Sequence, residues 1–208
     1  VAEKEKLGVL CSGRGTDLQS IIDAIGRGEV EAEIAVVLAD KPEAFALERA
    51  RKAGIKAVCV NRKQYEGREP FEEALIKELE EAGVTLVVLA GFMRILTPLF
   101  VRHFAGRIMN IHPALLPSFP GAHAHRDVLA YGVKVSGCTV HFVDEGTDSG
   151  PIIMQAAVPV LPGDTEETLG ARVLEQEHII YPKCVQLYCE GRLKVEGRHV
   201  HIIEGEKA

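Results

Sequence analysis

Met109-Asn110-Ile111-His112-Pro113 closes an apolar run and sets an amide and an imidazole two residues apart. On an extended strand residues i and i+2 point to the same face, so the two side chains can meet one reacting atom. The amide would act as a neutral donor and the imidazole as a proton carrier near neutral pH. Pro113 ends the strand, which puts the pair at its carboxyl end, where open parallel sheets bind ligands. The same spacing also suits a satisfied polar pair inside a core. A carboxylate lies further on, because Asp148 sits between Thr147 and Ser149 in an acidic, glycine-rich loop. Turned toward His112, it would favour the charged imidazole, since an opposite charge stabilises the protonated form. Left in the loop, it would be solvated or cap a turn.

Two further stretches could hold ligands. Ser12-Gly13-Arg14-Gly15-Thr16-Asp17 follows an apolar run and precedes a helical pattern. Small residues there let backbone N–H groups and the helix dipole close on a phosphate. A tight turn with Thr16 or Asp17 capping the helix is the plainer alternative. The glycines do not complete a dinucleotide fingerprint, although Asp40, at the end of the next apolar run, could hold a ribose in a nicotinamide-nucleotide site. Leu89-Ala90-Gly91-Phe92-Met93-Arg94-Ile95-Leu96 is an apolar loop with free backbone groups, suited to a flat heterocycle. Its alternative is plain core packing with Arg94 solvated.

The elements that must position these groups follow from the hydrophobic rhythm. Residues 7–11, 34–39, 57–60, 86–89 and 108–111 read as strands, and 17–28, 44–53, 70–82 and 98–104 as helices. Gly54 and Gly83 supply helix stops. Such alternation predicts an α/β fold, a Rossmann-like open, mainly parallel twisted sheet with helices on both faces. Past residue 130 the rhythm changes, and 135–143 and 151–160 predict an antiparallel addition in the C-terminal half. A long helix then opens with Asp164 as N-cap and Glu167 as its capping-box partner, and Pro182 should kink or divide it. A terminal hairpin over 193–195 and 199–203 follows. No linker interrupts the chain, so 1–208 reads as a single domain, with 1–105 a phosphate-binding, nucleotide-binding-like half and 106–208 a catalytic and cofactor-binding half.

The chain has 208 residues, 47 % hydrophobic and 26 % charged, which is ordinary for a globular protein with a sizeable core. A formal charge of −6 without a cluster of Lys and Arg argues against nucleic-acid binding. No apolar run approaches the roughly 18–20 residues that cross a bilayer, and the charged start is no signal peptide, so a cytoplasmic protein is expected. The 5 cysteines lack a C-x-x-C pair and predict neither a disulfide framework nor zinc. The close pairs His123/His125 and His199/His201 lack a supporting carboxylate pattern, and no metal is expected.

Read together, Ser12-Gly13-Arg14-Gly15-Thr16-Asp17-Leu18-Gln19, Ala90-Gly91-Phe92-Met93-Arg94-Ile95-Leu96, Asn110-Ile111-His112-Pro113-Ala114-Leu115-Leu116-Pro117, Asp148-Ser149-Gly150-Pro151-Ile152-Ile153 and Gln176-Glu177-His178 stand in an order that resembles the folate-dependent glycinamide ribonucleotide formyltransferase family over nearly the whole chain. The resemblance implies the formyltransferase fold and formyl transfer from 10-formyltetrahydrofolate to the amine of glycinamide ribonucleotide, in de novo purine (IMP) biosynthesis. It implies Asn110, His112 and Asp148 as the catalytic trio. Gly15, Thr16 and Asp17 would meet the substrate phosphate, and Glu177 the ribose hydroxyls. Met93, Arg94, Ile95, Leu96, Asn110, Asp144 and Asp148 would hold the folate, with Arg68 and Arg94 toward its glutamate carboxylates. The family commonly has Asn where this chain has Asp17, and a frequently basic residue where it has Ser118. A carboxylate beside a phosphate dianion repels it unless Arg14 or the helix N-terminus compensates, so the Asp17 backbone N–H is the expected contact. The partners implied are two small molecules, with no nucleic acid or membrane, and a monomer or homodimer. Methionyl-tRNA formyltransferase resembles the catalytic motif but adds an RNA-binding domain, for which this chain is too short and too acidic. Formyltetrahydrofolate hydrolase shares the trio but begins with a regulatory domain, whereas this chain enters its first strand almost at once.

Overall fold

The computed structural model describes residues 3–205. Its strands are β1 (Glu5–Cys11), β2 (Ala32–Ala39), β3 (Ala57–Cys59), β4 (Leu86–Leu89), β5 (Ile108–His112), β6 (Val135–Phe142), β7 (Ile152–Pro159), β8 (Leu193–Glu196) and β9 (His199–Ile202). They form one sheet in the order β3-β2-β1-β4-β5-β6-β7-β9-β8. The first five in that order run parallel to one another, and β6 joins β5 antiparallel, pairing Asn110 with His141 and His112 with Thr139. β7 returns antiparallel to β6, and the β8–β9 hairpin attaches through β9. The chain winds outward from β1 to β3, then crosses to β4 and winds the other way. The carboxyl ends of β1 and β4 therefore flank the reversal point, where such sheets leave a ligand crevice.

The helices are α1 (Thr16–Gly26), α2 (Phe45–Lys52), α3 (Arg68–Glu81), α4 (Pro98–His103), α5 (Ala124–Tyr131) and α6 (Glu166–Cys189). Period-two alternation divides the core between the sheet's faces. Leu7, Val9 and Cys11 of β1 pack with Leu18 and Ile21 of α1 and with Tyr181 and Val185 of α6, whereas Leu10 packs with Phe71 and Leu75 of α3 and Phe100 of α4. Each such side chain, buried in full, contributes about 1.5–3 kcal/mol relative to exposure. Asn110 and His112 interrupt this pattern, since both lie on a strand whose Ile108 and Met109 are almost wholly buried.

Two expectations need correction, the cap of α6 and its division at Pro182, and one helix was not expected. The N-cap of α6 is Thr165 rather than Asp164: its hydroxyl accepts from Thr168 N, while Thr168 Oγ1 accepts from Thr165 N at 2.9 Å. Asp164 is instead gripped by the Arg172 fork at 2.8 and 2.9 Å, which holds its carboxyl well below the usual range, and Glu167 plays no part in the capping box. Pro182 does not divide α6, which runs unbroken for 24 residues. The proline forfeits one backbone hydrogen bond, and burial of Ile180, Tyr181, Cys184 and Val185 around it offsets that loss. Finally, α5 was not foreseen, because only Ala124 and Val128 of its eight residues face the core. Thr165→Ala should cost about 1 kcal/mol of stability, read as a lower denaturation midpoint at unchanged slope.

Candidate active site

Asn110, His112 and Asp148 meet at the carboxyl end of β5. His112 is 4 % exposed, and its Nε2 donates to the Phe119 carbonyl at 2.8 Å. That bond assigns a proton to Nε2 and leaves Nδ1 facing Asp148 Oδ2 at 3.7 Å. Nδ1 thus faces the carboxylate across a gap slightly too long for a direct hydrogen bond. Asp148 is itself fixed, because its Oδ2 accepts from Gly121 N at 2.9 Å and its backbone adopts a left-handed φ of 50°. Such a φ is uncommon outside glycine, though aspartate tolerates it better than most residues.

Asn110 is positioned by a residue that sequence reasoning missed. His141, directly opposite on β6, donates from Nδ1 to the Phe142 carbonyl at 2.9 Å, so its Nε2 can only accept, and Asn110 Nδ2 donates to it at 3.2 Å. Burial lowers the His141 pKa, which keeps that ring neutral and suited to accepting. One N–H of the Asn110 amide is thereby occupied and the other is left for a ligand. The i, i+2 spacing of Thr139 and His141 was visible in the sequence; their register against β5 was not.

The turn after β1 carries the second group. Gly15 has φ 74° and lies so close to α2 that a Cβ would come within 2.7 Å of the Ala46 Cβ. No side chain caps α1, which removes the reading of Thr16 or Asp17 as cap and leaves the amides of its first turn open to an anion. The Asp17 carboxyl turns away from that opening into contact with Glu177 of α6, both residues being buried. A side-chain contact between Asp17 and a phosphate is accordingly not set up. Ser12 ties this turn to the loop after β4, donating from its N to Gly91 O at 3.0 Å and accepting from Met93 N at 2.9 Å.

Arg68 joins Met93, Arg94, Ile95 and Leu96 around a cleft of about 390 Å³. Met93 and Ile95 are 63 % and 62 % exposed, an apolar surface open to a flat ligand. Arg94 Nε donates to Asp40 Oδ2 at 2.7 Å, and Arg68 Nη2 donates to Ile95 O at 2.6 Å. Asp40 is fully buried in this task, so it is an anchor for Arg94 and not a ribose ligand. Asp144 braces its own loop, accepting from Gly146 N at 2.9 Å and Ser149 Oγ at 2.7 Å. Tyr181, also missed, sends its hydroxyl to Leu89 O at 2.6 Å, with Met109 O at 3.1 Å, and so ties α6 to the ends of β4 and β5. Among the described residues no group of three or more His, Cys, Asp or Glu could hold a metal, and no helix is long and apolar enough to cross a membrane.

An open parallel sheet with a phosphate-type turn at its reversal point and an amide–imidazole–carboxylate trio at the next strand end has the form of a formyl transferase, and the family described as Formyl transferase matches residues 5–185. Phosphoribosylglycinamide formyltransferase of Escherichia coli (strain K12) is 48 % identical over 187 residues, covering 90 % of this chain and 88 % of that protein. The human trifunctional purine biosynthetic protein adenosine-3 is 45 % identical over 193 residues, which make up 93 % of this chain but 19 % of that longer protein. Among solved structures, glycinamide ribonucleotide transformylase 1 from Symbiobacterium toebii superposes with a TM-score of 0.95 at 51 % identity, covering 97 % of this chain and 95 % of that one. This chain belongs to the phosphoribosylglycinamide formyltransferase family.

Proposed function

We propose that the protein transfers the formyl group of 10-formyltetrahydrofolate to the amine of 5'-phosphoribosylglycinamide, giving formylglycinamide ribonucleotide and tetrahydrofolate in purine biosynthesis. The observation that carries the reading is the approach of His112 Nδ1 to Asp148 Oδ2, 3.7 Å, beside an Asn110 amide with one N–H to spare. The substrate amine attacks the formyl carbon, forming a C–N bond while the carbonyl electrons move to oxygen. The intermediate carries a negative oxygen and a positive nitrogen, and each needs a partner. The Asn110 amide and the Nδ1–H of charged His112 donate to the oxygen, and Asp148 serves as the counter-charge to the imidazolium. Asp148 then takes the amine proton, His112 supplies one to the departing folate nitrogen, and the C–N bond to the folate breaks. The reaction needs neither a metal nor a covalent enzyme intermediate.

The first-turn amides of α1, at Gly15, Thr16 and Asp17, would take the substrate phosphate, with Glu177 toward its ribose. The cleft of Met93, Arg94, Ile95 and Leu96 would take the pterin, with Arg68 and Arg94 at the glutamate end. Arg68→Ala should raise the KM for the folate about tenfold with kcat nearly unchanged, as loss of one charge-assisted hydrogen bond predicts. We further propose a single domain over 1–208, acting in the cytoplasm as a monomer or homodimer on small molecules, without nucleic acid. Folate release assayed with and without glycinamide ribonucleotide tests the reaction. Release should depend on the amine, and equal release without it would mark a hydrolase.

A further inference from the structure

Asp17 and Glu177 form a feature that the transfer chemistry does not use. Asp17 leaves the first turn of α1, Glu177 comes from the middle of α6, and their carboxyl groups are in hydrogen-bonding contact with 8 % and 5 % of each residue exposed. Two carboxylates cannot hydrogen-bond to each other without a proton, since an ionised carboxylate only accepts. Compensation from the surroundings is scarce. His178 Nε2 lies 3.6 Å from Asp17 Oδ1, and neither of those buried atoms has a hydrogen-bond partner. Cys11 of β1 and Cys138 of β6 face the pair as thiols whose ionisation burial opposes, Cys138 being pushed up to about 12. Tyr181 of α6 is a buried neutral phenol already donating to Leu89 O. Arg49 of α2, beside the turn, donates to Arg14 O at 2.6 Å and Gln19 Oε1 at 3.3 Å, and Arg14, within the turn, is exposed.

We infer that Asp17 and Glu177 act as one proton-sharing carboxyl pair that sets the charge of the ribose-phosphate subsite, so that substrate binds only while the pair keeps its proton. The inference rests on the proposed function and deepens it. With one proton the pair carries a single negative charge, which the open amides of α1 can offset beside a phosphate. With none it carries two, and the added charge repels the dianion. Burial raises both carboxyls, and the Asp17 charge raises Glu177 further, so the retained proton belongs to neutral pH. The loss of that proton as pH rises weakens binding. Asp17 is thus a specificity-determining residue, and Glu177 meets the sugar in a state set by its neighbour.

The test compares the KM for glycinamide ribonucleotide of the wild-type enzyme and Asp17→Asn from about pH 6.5 to about pH 10. Asp17→Asn keeps the shape and leaves Glu177 as the one ionisable carboxyl of the pair, so the second negative charge cannot form at any pH. The substrate's own phosphate and amine titrations are common to both proteins and cancel in the ratio. The wild-type to variant KM ratio should be flat at the acid end and climb by up to about tenfold per pH unit beyond the pair's last ionisation. A ratio that stays flat to the alkaline end overturns the inference. Glu177→Gln likewise limits the pair to one negative charge and must give the same rising ratio if Asp17→Asn fails to fold. Infrared spectra supply a readout independent of turnover: at neutral pH the wild-type protein should show the carbonyl band of a buried protonated acid, lost over the same pH range in which the KM ratio climbs, and its absence from wild type overturns the pair. Loss of all formyl transfer by wild type would instead defeat the parent reading, while the infrared band would still report on the pair.

Discussion

His112→Ala should lower kcat about 100- to 1,000-fold while leaving the KM of both substrates nearly unchanged. The imidazole is almost wholly buried and is held by its Nε2 bond to Phe119 O, so the ring atom it offers the reaction is Nδ1, aimed at the space beside Asp148. The proposed mechanism uses the N–H formed there on protonation. A donor placed where the oxyanion develops is stronger toward the transition state than toward the ground-state carbonyl, and its loss appears in kcat. His112→Gln restores a donor but no ionisable group, and should recover part of the rate without recovering the wild-type pH profile. Steady-state kinetics over pH for the three proteins check both statements.

Asn110→Ala should cost kcat a similar factor, about 100- to 1,000-fold, for a related reason with a different structural consequence. Its amide divides its two N–H groups between His141 Nε2, at 3.2 Å, and the ligand space. Removing it takes away one oxyanion donor and also leaves a buried ring nitrogen without its donor, a stability cost of about 1–3 kcal/mol. The two losses separate experimentally, because the thermal or denaturant midpoint reads the second and single-turnover transfer at a permissive temperature reads the first. A variant that lost stability but kept its rate would reduce Asn110 to a structural partner of His141.

Much of this arrangement was legible in the residues because strand periodicity and motif order are local. The apolar runs fixed β1 to β5 to within a few residues, and the i, i+2 spacing of Asn110 and His112 placed both on one face, where the structure has them. What depends on register or on distant packing was not legible. His141 becomes the partner of Asn110 only through the β5–β6 pairing. Asp40 becomes the anchor of Arg94 only because β2 and the loop after β4 meet across β1. Asp164 has the residue type of a cap, yet Arg172, two turns along α6, competes for its carboxyl and leaves the cap to Thr165. The departure at Asp17 was visible as a charge in the wrong place for a phosphate contact, but its inward turn toward Glu177 was not.

Direct transfer is the central claim, and a single-turnover reaction with excess enzyme and 10-formyltetrahydrofolate labelled in its formyl carbon tests it most directly. Rapid quenching should find the label on the amine of glycinamide ribonucleotide as fast as tetrahydrofolate appears, with none on the protein, and about 100- to 1,000-fold more slowly in His112→Ala. Label recovered as formate or bound to the enzyme, or an undiminished transfer rate in His112→Ala, would contradict it.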